Sequence, residues 1–294
     1  MKIHFSGIGG IGISALAQLC LTKGFEIQGS DISDSSVIWP ILKSKNIKLF
    51  TSQISENIDK SIDLLVFSEA VPSINPEREK AKELKIPQKS YFEFLGEVSE
   101  NYKTIAIAGT HGKTSTTAMI AKGLQEVGFD ANIVIGTTLD FLGNTNFRSG
   151  TESVLVVEAC EYRSNFKFLK PEIIVLTSVE WDHIDAFPTE NLYFEAFEKF
   201  IQSAKIVIAH KDDPGTKKIL KNFSGKIIWI NNLEKLQLSA IGEFNARNAR
   251  QAKVVADCLK LDLKIFAKGL QKYSGAGRRQ EFLGERNGVK VFDD

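Results

Sequence analysis
The residues best suited to chemistry stand in one run, Gly109-Thr-His-Gly-Lys-Thr114, and their types and order suit the holding of phosphate. The N–H groups of a glycine turn and the positive N-terminus of a following helix face an anion. Lys113 adds a point charge, and the Thr114 hydroxyl is placed to hold a magnesium ion. The pattern G-x-x-x-x-G-K-[ST] is not matched, because Ala108 and Ile107 stand where its first glycine belongs. The run is therefore a shortened variant of that loop. A plain strand-to-helix turn would need glycines for positive φ. It would not need a lysine followed by four hydroxyl residues, Thr114 to Thr117.

A second run, Gly7-Ile-Gly-Gly-Ile-Gly12, fits G-x-G-x-x-G at 7, 9 and 12, and Asp31 lies 19 residues beyond Gly12. In this dinucleotide fingerprint a diphosphate sits on a helix N-terminus and the acid holds a ribose hydroxyl. NAD satisfies it, and so does a UDP-sugar. Glu158 and the pair Asp182-His183 stand where apolar strand patterns end, the edge from which the phosphate loop also leaves. An acid there can hold magnesium, directly or through water. The other reading of Glu158 is a cap or a salt-bridge acid, and His183, between Asp182 and Asp185, stays open between a structural and a catalytic role. Ser68 to Asn75 follows another strand at the end where ligands of parallel sheets bind, with simple turn chemistry as the other reading. Asn245 and Asn248 open a long helix pattern. Side-chain amides there can read an adenine edge, but residue physics alone favours Asn245 as an N-cap.

These residues need a scaffold, and the pattern supplies one. Strands over 2–6, 25–29, 47–50 and 62–68 alternate with helices over 13–23, 37–45 and 77–84. Residues 91–101 read as irregular and polar, which marks a domain boundary. Beyond it come strands over 103–108, 154–157, 173–177, 205–209 and 226–230, and helices over 115–127, 189–203, 214–222, 245–260 and 263–273. Such alternation predicts α/β architecture with mostly parallel sheets. Residues 281–292 read as a hairpin turned at Asn287-Gly288. A two-stranded hairpin is marginal alone, so the chain is expected to stop inside a further domain.

The 294 residues leave room for two domains by the rule of about 150 residues each. With 43% hydrophobic and 25% charged residues, the composition is that of a soluble globular protein. A net charge of +1 gives no field that would favour nucleic acid or a membrane as partner. Cys20, Cys160 and Cys258 lie in apolar runs without C-x-x-C spacing, and read as reduced core residues, not disulfides or zinc ligands. A strand starting at Lys2 leaves no space for a signal peptide, and no apolar run reaches the ~18 residues of a membrane span. A cytoplasmic protein, monomeric or weakly dimeric, is expected.

Together these motifs resemble the Mur ligase family of peptidoglycan synthesis. The similar stretches are Gly7 to Ser14, Gly29-Ser-Asp31, Gly109 to Thr117, Glu158-Ala-Cys-Glu161, Asp182-His183, Gly242 to Ala249 and Gly277-Arg-Arg-Gln-Glu281. They are spread over the whole chain in the family's order. The resemblance implies a Rossmann-like UDP-substrate domain (1–100), a P-loop ATPase-type central domain (101–273) and the beginning of a Rossmann-like amino-acid-binding domain (274–294). The family continues beyond Asp294 with a Tyr-Ala-His-His type segment.

The resemblance also implies an activity: ATP phosphorylates the carboxylate of UDP-N-acetylmuramate, and L-alanine attacks the acyl phosphate. A murein tripeptide in place of alanine is the alternative within the family. The implied ATP contacts are Gly109, Thr110, His111, Gly112, Lys113, Thr114, Ser115, Asn245, Asn248 and Arg278. The implied UDP-substrate contacts are Gly9, Gly10, Ile11, Gly12, Ser14, Asp31 and Ser68. Thr114, Glu158 and His183 would hold Mg2+, and Lys113, Glu158 and His183 would be catalytic. Several family members bridge magnesium with a carbamylated lysine, for which Lys167 and Lys170 are the nearby residues. Outside this resemblance stand a nicotinamide dehydrogenase, resting on Gly7 to Asp31, and a non-catalytic nucleotide-sugar or ATP binding module.

Overall fold
A computed structural model describes residues 1–231, 236, 238–277, 281–286 and 288–293. The first unit runs β1 (Lys2–Ser6), α1 (Ile11–Thr22), β2 (Glu26–Ser30), α2 (Trp39–Ser44), β3 (Lys48–Phe50), β4 (Leu64–Phe67), α3 (Pro76–Glu83), β5 (Gln88–Ser90) and α4 (Tyr91–Ser99). Its five strands are parallel in the order β3-β2-β1-β4-β5. β1 is central and buried on both faces from Ile3 to Ser6, as parallel strands covered by helices are. The chain can turn out of β1 because Gly7 sits at φ +81, where a Cβ would also meet Ser68 Cβ at 2.9 Å.

Residues 91–101 are not irregular as expected. Tyr91–Ser99 is the helix α4, opened by a capping box in which Ser90 and Glu93 satisfy each other's backbone N–H groups. Phe94 and Leu95 are buried in the main core. Gly96 passes so close to the Phe168 carbonyl that any side chain there would clash.

The second unit runs β6 (Lys103–Ala108), α5 (Lys113–Glu126), β7 (Asn132–Leu139), β8 (Thr145–Arg148), β9 (Val154–Glu158), a 3₁₀ segment (Tyr162–Phe168), β10 (Ile173–Leu176) and α6 (Glu190–Ile201). It continues with β11 (Ile206–His210), α7 (Pro214–Ile219), β12 (Lys226–Ile230), α8 (Glu243–Cys258) and α9 (Leu263–Gln271). The sheet order is β12-β11-β10-β6-β9-β7-β8, parallel throughout except for the antiparallel β7–β8 pair. The patterning did not reveal β7 and β8. β7 ends on Gly136-Thr-Thr-Leu139, and two residues of positive φ, Gly143 and Asn144, follow the short turn after it, which hides the period-2 signal. β13 (Glu281–Arg286) and β14 (Val289–Asp293) form the expected hairpin, with Arg286 opposite Val289; Asn287 of its turn lies outside the described residues.

Alternate residues of β6 face two cores. Ile105 and Ile107 pack with Met119, Ile120, Val255 and Phe266 of α5, α8 and α9. Ala106 and Ala108 join a larger cluster that also holds Ala15, Leu16 and Leu19 of α1. α1 is therefore a shared layer, packed on its own sheet and on β7 and β8 of the second. Among the described residues no helix is long and apolar enough to cross a membrane, and all three cysteines are free.

Candidate functional site
The loop between β6 and α5 leaves the middle of the second sheet. Gly109 has φ +134, and a Cβ on it would clash with Thr177 Oγ1; Gly112 has φ +81, and its Cβ would lie 2.8 Å from Asn248 Oδ1. Both glycines are thus required by backbone and by space. Lys113 begins α5, and its Nζ turns back to donate to Gly109 O at 2.6 Å, Thr110 O at 3.2 Å and Glu161 Oε1 at 2.8 Å. The Thr110 hydroxyl donates to Glu180 O at 2.8 Å and meets Tyr193 Oη at 2.9 Å, which ties the loop to the β10 exit.

β9 lies beside β6 with Glu158 opposite Ile107, so the register delivers this acid to the loop. Glu158 Oε2 accepts from Thr114 Oγ1 at 3.0 Å, and Oε1 accepts from Gly136 N at 2.7 Å. His183 sits at φ +55, a conformation costly for a non-glycine residue and typical of functional sites. That backbone sends its Nε2 to within 3.3 Å of Glu161 Oε1. Its ring stands edge-on to Tyr162 at 5.3 Å, and the Tyr162 hydroxyl donates to Asp185 at 2.7 Å. That bond pushes the Tyr162 phenol up and the Asp185 carboxyl down from their ordinary values.

The sequence reading gave Glu161 no role, and it joins Lys113 to His183. The signal was present in the Glu-x-x-Glu spacing after an apolar strand, but only the 3₁₀ turn at Tyr162 shows that Glu161 faces inward. Lys167 and Lys170 do not join this group. Lys167 is exposed along the Phe168 ring and Lys170 is bound to Glu100 at 2.7 Å.

Two cavities meet here. A cleft of about 520 Å³ is lined by residues 110–115 and by Thr177, Ser178, Phe244, Arg247 and Asn248. Asn248 reaches it from α8 and covers Gly112. Asn245 is not the cap: Gly242 holds that position at φ +99, and Asn245 Nδ2 donates to Ile241 O at 2.8 Å inside the first turn. Arg278 lies outside the described residues, whose chain reaches Gly277, where Thr137 Oγ1 donates to its carbonyl at 2.9 Å.

The second cavity, about 470 Å³ and mostly apolar, opens between the two sheets. Gly10, Ile11, Gly12, Ser68 and Tyr91 come from the first unit; Gly136, Glu158 and Cys160 come from the second. Lys113 belongs to the walls of both cavities. Burial, with help from Cys160 and Glu158, pushes the Tyr91 phenol well above its ordinary value, so it stays a hydrogen-bond donor.

Asp31, expected to hold a ribose, fastens the glycine loop in this structure. Its Oδ2 accepts from Gly9 N at 2.8 Å and its Oδ1 from Ile32 N at 2.7 Å, while Ser36 Oγ donates to Gly9 O at 2.6 Å. Ser14 is fully buried. Its hydroxyl donates to Ile11 O at 3.0 Å and accepts from Asn146 Nδ2 at 2.9 Å. Asn146 also donates to Ile11 O and accepts from Gln18 Nε2 at 3.0 Å. The link from β8 to α1 thus occupies Ser14.

Among the described residues no three His, Cys, Asp or Glu side chains gather tightly enough to hold a metal alone. The oxygens of Thr114 and Glu158, 3.0 Å apart, nonetheless suit Mg2+, and the buried Glu161 Oε2 has no partner among the described residues. That ion takes one or two carboxylates and completes its shell with phosphates and water.

The chain matches known proteins over its whole length. Residues 2–103 match the Mur ligase family catalytic domain, and residues 107–232 match the Mur ligase middle domain. The chain is 36% identical to a UDP-N-acetylmuramate–L-alanine ligase of Clostridium kluyveri, over all of this chain and 71% of that protein. It is also 36% identical to one from Acetivibrio thermocellus, over 99% and 69% respectively. Among solved structures, a UDP-N-acetylmuramate–alanine ligase of Thermotoga maritima superposes with TM-score 0.87 at 26% identity, over 100% of this chain and 74% of that one. A murein peptide ligase of Psychrobacter arcticus gives TM-score 0.86 at 24% identity, over 100% and 72%.

Proposed function
The chain belongs to the Mur ligase family, and from that premise we propose that it joins L-alanine to UDP-N-acetylmuramate with hydrolysis of ATP, a step in peptidoglycan precursor synthesis. The observation that carries this reading is the place of Lys113 in the walls of both cavities. A group bound in the loop cleft and a group bound between the sheets would both meet its ammonium. That is the requirement for passing a phosphoryl group from one to the other.

In this reading residues 1–100 hold the UDP-sugar, residues 101–273 hold ATP, and residues 274–294 begin the amino-acid-binding part. The loop N–H groups from Gly109 to Ser115 and Lys113 cradle the β- and γ-phosphates, and Asn248 lies where the nucleoside leaves the loop. Gly10, Ile11, Gly12 and Ser68 face the UDP-sugar, with Tyr91 as a further donor. Thr114 and Glu158, with His183, would hold magnesium, which would supply charge neutralisation at the phosphates. The muramate carboxylate attacks the γ-phosphorus, ADP leaves, and an acyl phosphate forms. The alanine amine attacks the acyl carbon, phosphate departs, and the amine loses a proton. Phosphoryl transfer of this kind depends on position and charge more than on covalent help, which suits a site of one lysine, one hydroxyl and strand-end acids. A reaction consuming ATP and a nucleotide sugar would run in the cytoplasm.

The test is ADP formation and product mass with ATP, magnesium and UDP-N-acetylmuramate. ADP that appears only when L-alanine is added, with product heavier by one alanyl residue, supports the reading. Product only with a murein tripeptide would reassign the amine donor. UDP-sugar binding without any ADP formation would reduce the protein to a binding module.

A further inference from the structure
Glu161 is only 4% exposed, and a single oxygen, Oε1, meets both Lys113 Nζ at 2.8 Å and His183 Nε2 at 3.3 Å. Its other oxygen, Oε2, is buried and accepts no hydrogen bond from a described residue. A buried carboxylate oxygen without a donor is rare and points to a missing cation or water. The Lys113 ammonium is fully committed: its three contacts, to Gly109 O, Thr110 O and Glu161 Oε1, match its three N–H donors. Two of these acceptors are loop carbonyls within four residues of Lys113. Only Glu161 comes from another segment, the turn after β9.

We propose that Glu161 is a positioning residue that withholds Lys113 from polyphosphate and yields it when a divalent cation satisfies the free Glu161 oxygen. This rests on Lys113 being the phosphate-binding lysine of the proposed function. A polyphosphate arriving without a cation must break the Lys113–Glu161 contact. It must also approach a buried negative charge, where little solvent screens the repulsion. With the cation on Oε2 both obstacles fall, and His183, anchored on the same Oε1, is released together with Lys113. The lysine is then offered to the metal-bound nucleotide and refused to the bare one.

The experiment is calorimetric titration of the whole chain with ADP, once with excess magnesium and once with a chelator. Wild type should bind about tenfold or more tightly with magnesium, a difference of about 1.4 kcal/mol. Glu161→Gln should tighten chelated ADP by about five- to tenfold, because removing the competing state restores the competent one. Glu161→Asp, too short to reach Lys113, should move the same way. Either variant, folded and binding chelated ADP no tighter than wild type, overturns the proposal. In wild type, excess magnesium without nucleotide should raise acylation of Lys113 by a succinimidyl ester about severalfold; unchanged labelling overturns the proposal without any variant. If Lys113→Met leaves ADP binding intact, the phosphate-loop assignment fails first. If Lys113→Met abolishes binding while the Glu161 variants change nothing, only the proposal about Glu161 fails.

Discussion

Lys113 and Glu161 form a pair that neither residue can leave without cost. Removing one partner of a buried pair strands the other, at about 3–5 kcal/mol. Lys113→Met is therefore expected to lower the melting temperature as well as weaken ATP binding by about 10- to 100-fold, the worth of a hydrogen bond to a charged group. Lys113→Met with Glu161→Gln should recover most of the lost stability and none of the binding. Melting curves and calorimetry on the two single variants and the double complete the cycle, and additive stability changes would mean that the two side chains do not interact. Glu77 poses a similar question away from the site. It is fully buried in the first unit and accepts from Ser30 Oγ at 2.6 Å, Asn57 Nδ2 at 2.7 Å, Ser6 Oγ and His4 Nε2. Burial alone would push its carboxyl up, but the donors from His4, Ser30 and Ser6 outweigh that and hold it below its ordinary value. A carboxyl with its folded pKa lowered stabilises above the unfolded pKa, and that contribution is lost as pH falls through the folded one. Stability should decline below about pH 4.5, and Glu77→Gln should flatten the decline in urea unfolding measured across acid pH.

At the scale of elements, α1 and β8 are joined through Asn146, which holds the first turn of α1 where Gly10, Ile11 and Gly12 line the inter-sheet cavity. Asn146→Ala would remove three hydrogen bonds, to Ile11 O, the Ser14 hydroxyl and the Gln18 amide, leaving Ser14 on Ile11 O and Gln18 on Ser14 O. Each lost hydrogen bond is worth about 0.5–1.5 kcal/mol. Urea unfolding should show a loss of about 2–4 kcal/mol, and KM for the UDP-sugar should rise more than KM for ATP. An equal rise in both would mean that the link does not set the glycine loop. The sequence showed this region poorly. Strands β6, β9, β10, β11 and β12 announce themselves as apolar runs, because a strand buried on both faces needs no alternation. β7 and β8 are an antiparallel edge pair carrying Thr137, Thr138 and Asn146, whose polar side chains serve the neighbouring elements. α4 departs from the expected irregular stretch because Ser90 and Glu93 form a capping box, a helix start signal, ahead of its polar residues.

For the whole molecule, the shared core decides cooperativity. Ala15, Leu16 and Leu19 of α1 are fully buried in one cluster with Val134, Phe147, Leu155 and Val157 of the second unit. Separating the units would expose that apolar face, with the aggregation that exposed patches bring. Residues 1–277 are expected to unfold in one calorimetric transition with matching van't Hoff and calorimetric enthalpies. Two resolved transitions would show that the layers are independent.

The sequence by itself determined where the two glycine turns stand, each between a strand and a helix, since the positive φ of Gly7, Gly109 and Gly112 favours glycine there. It also determined the α/β class, through apolar runs alternating with helical periods. Only the tertiary structure decided which acids meet the phosphate loop. Glu158 arrives through the β6–β9 register, while Glu161 and His183 arrive through turns with left-handed residues at Arg163, Ser164 and His183. It decided as well that Asp31 serves the glycine loop and that Asn245 is no cap. The physical reason is range: a hydrogen bond between residues 22 or 48 positions apart leaves no periodic trace in the chain, because strand order and register alone bring the partners together.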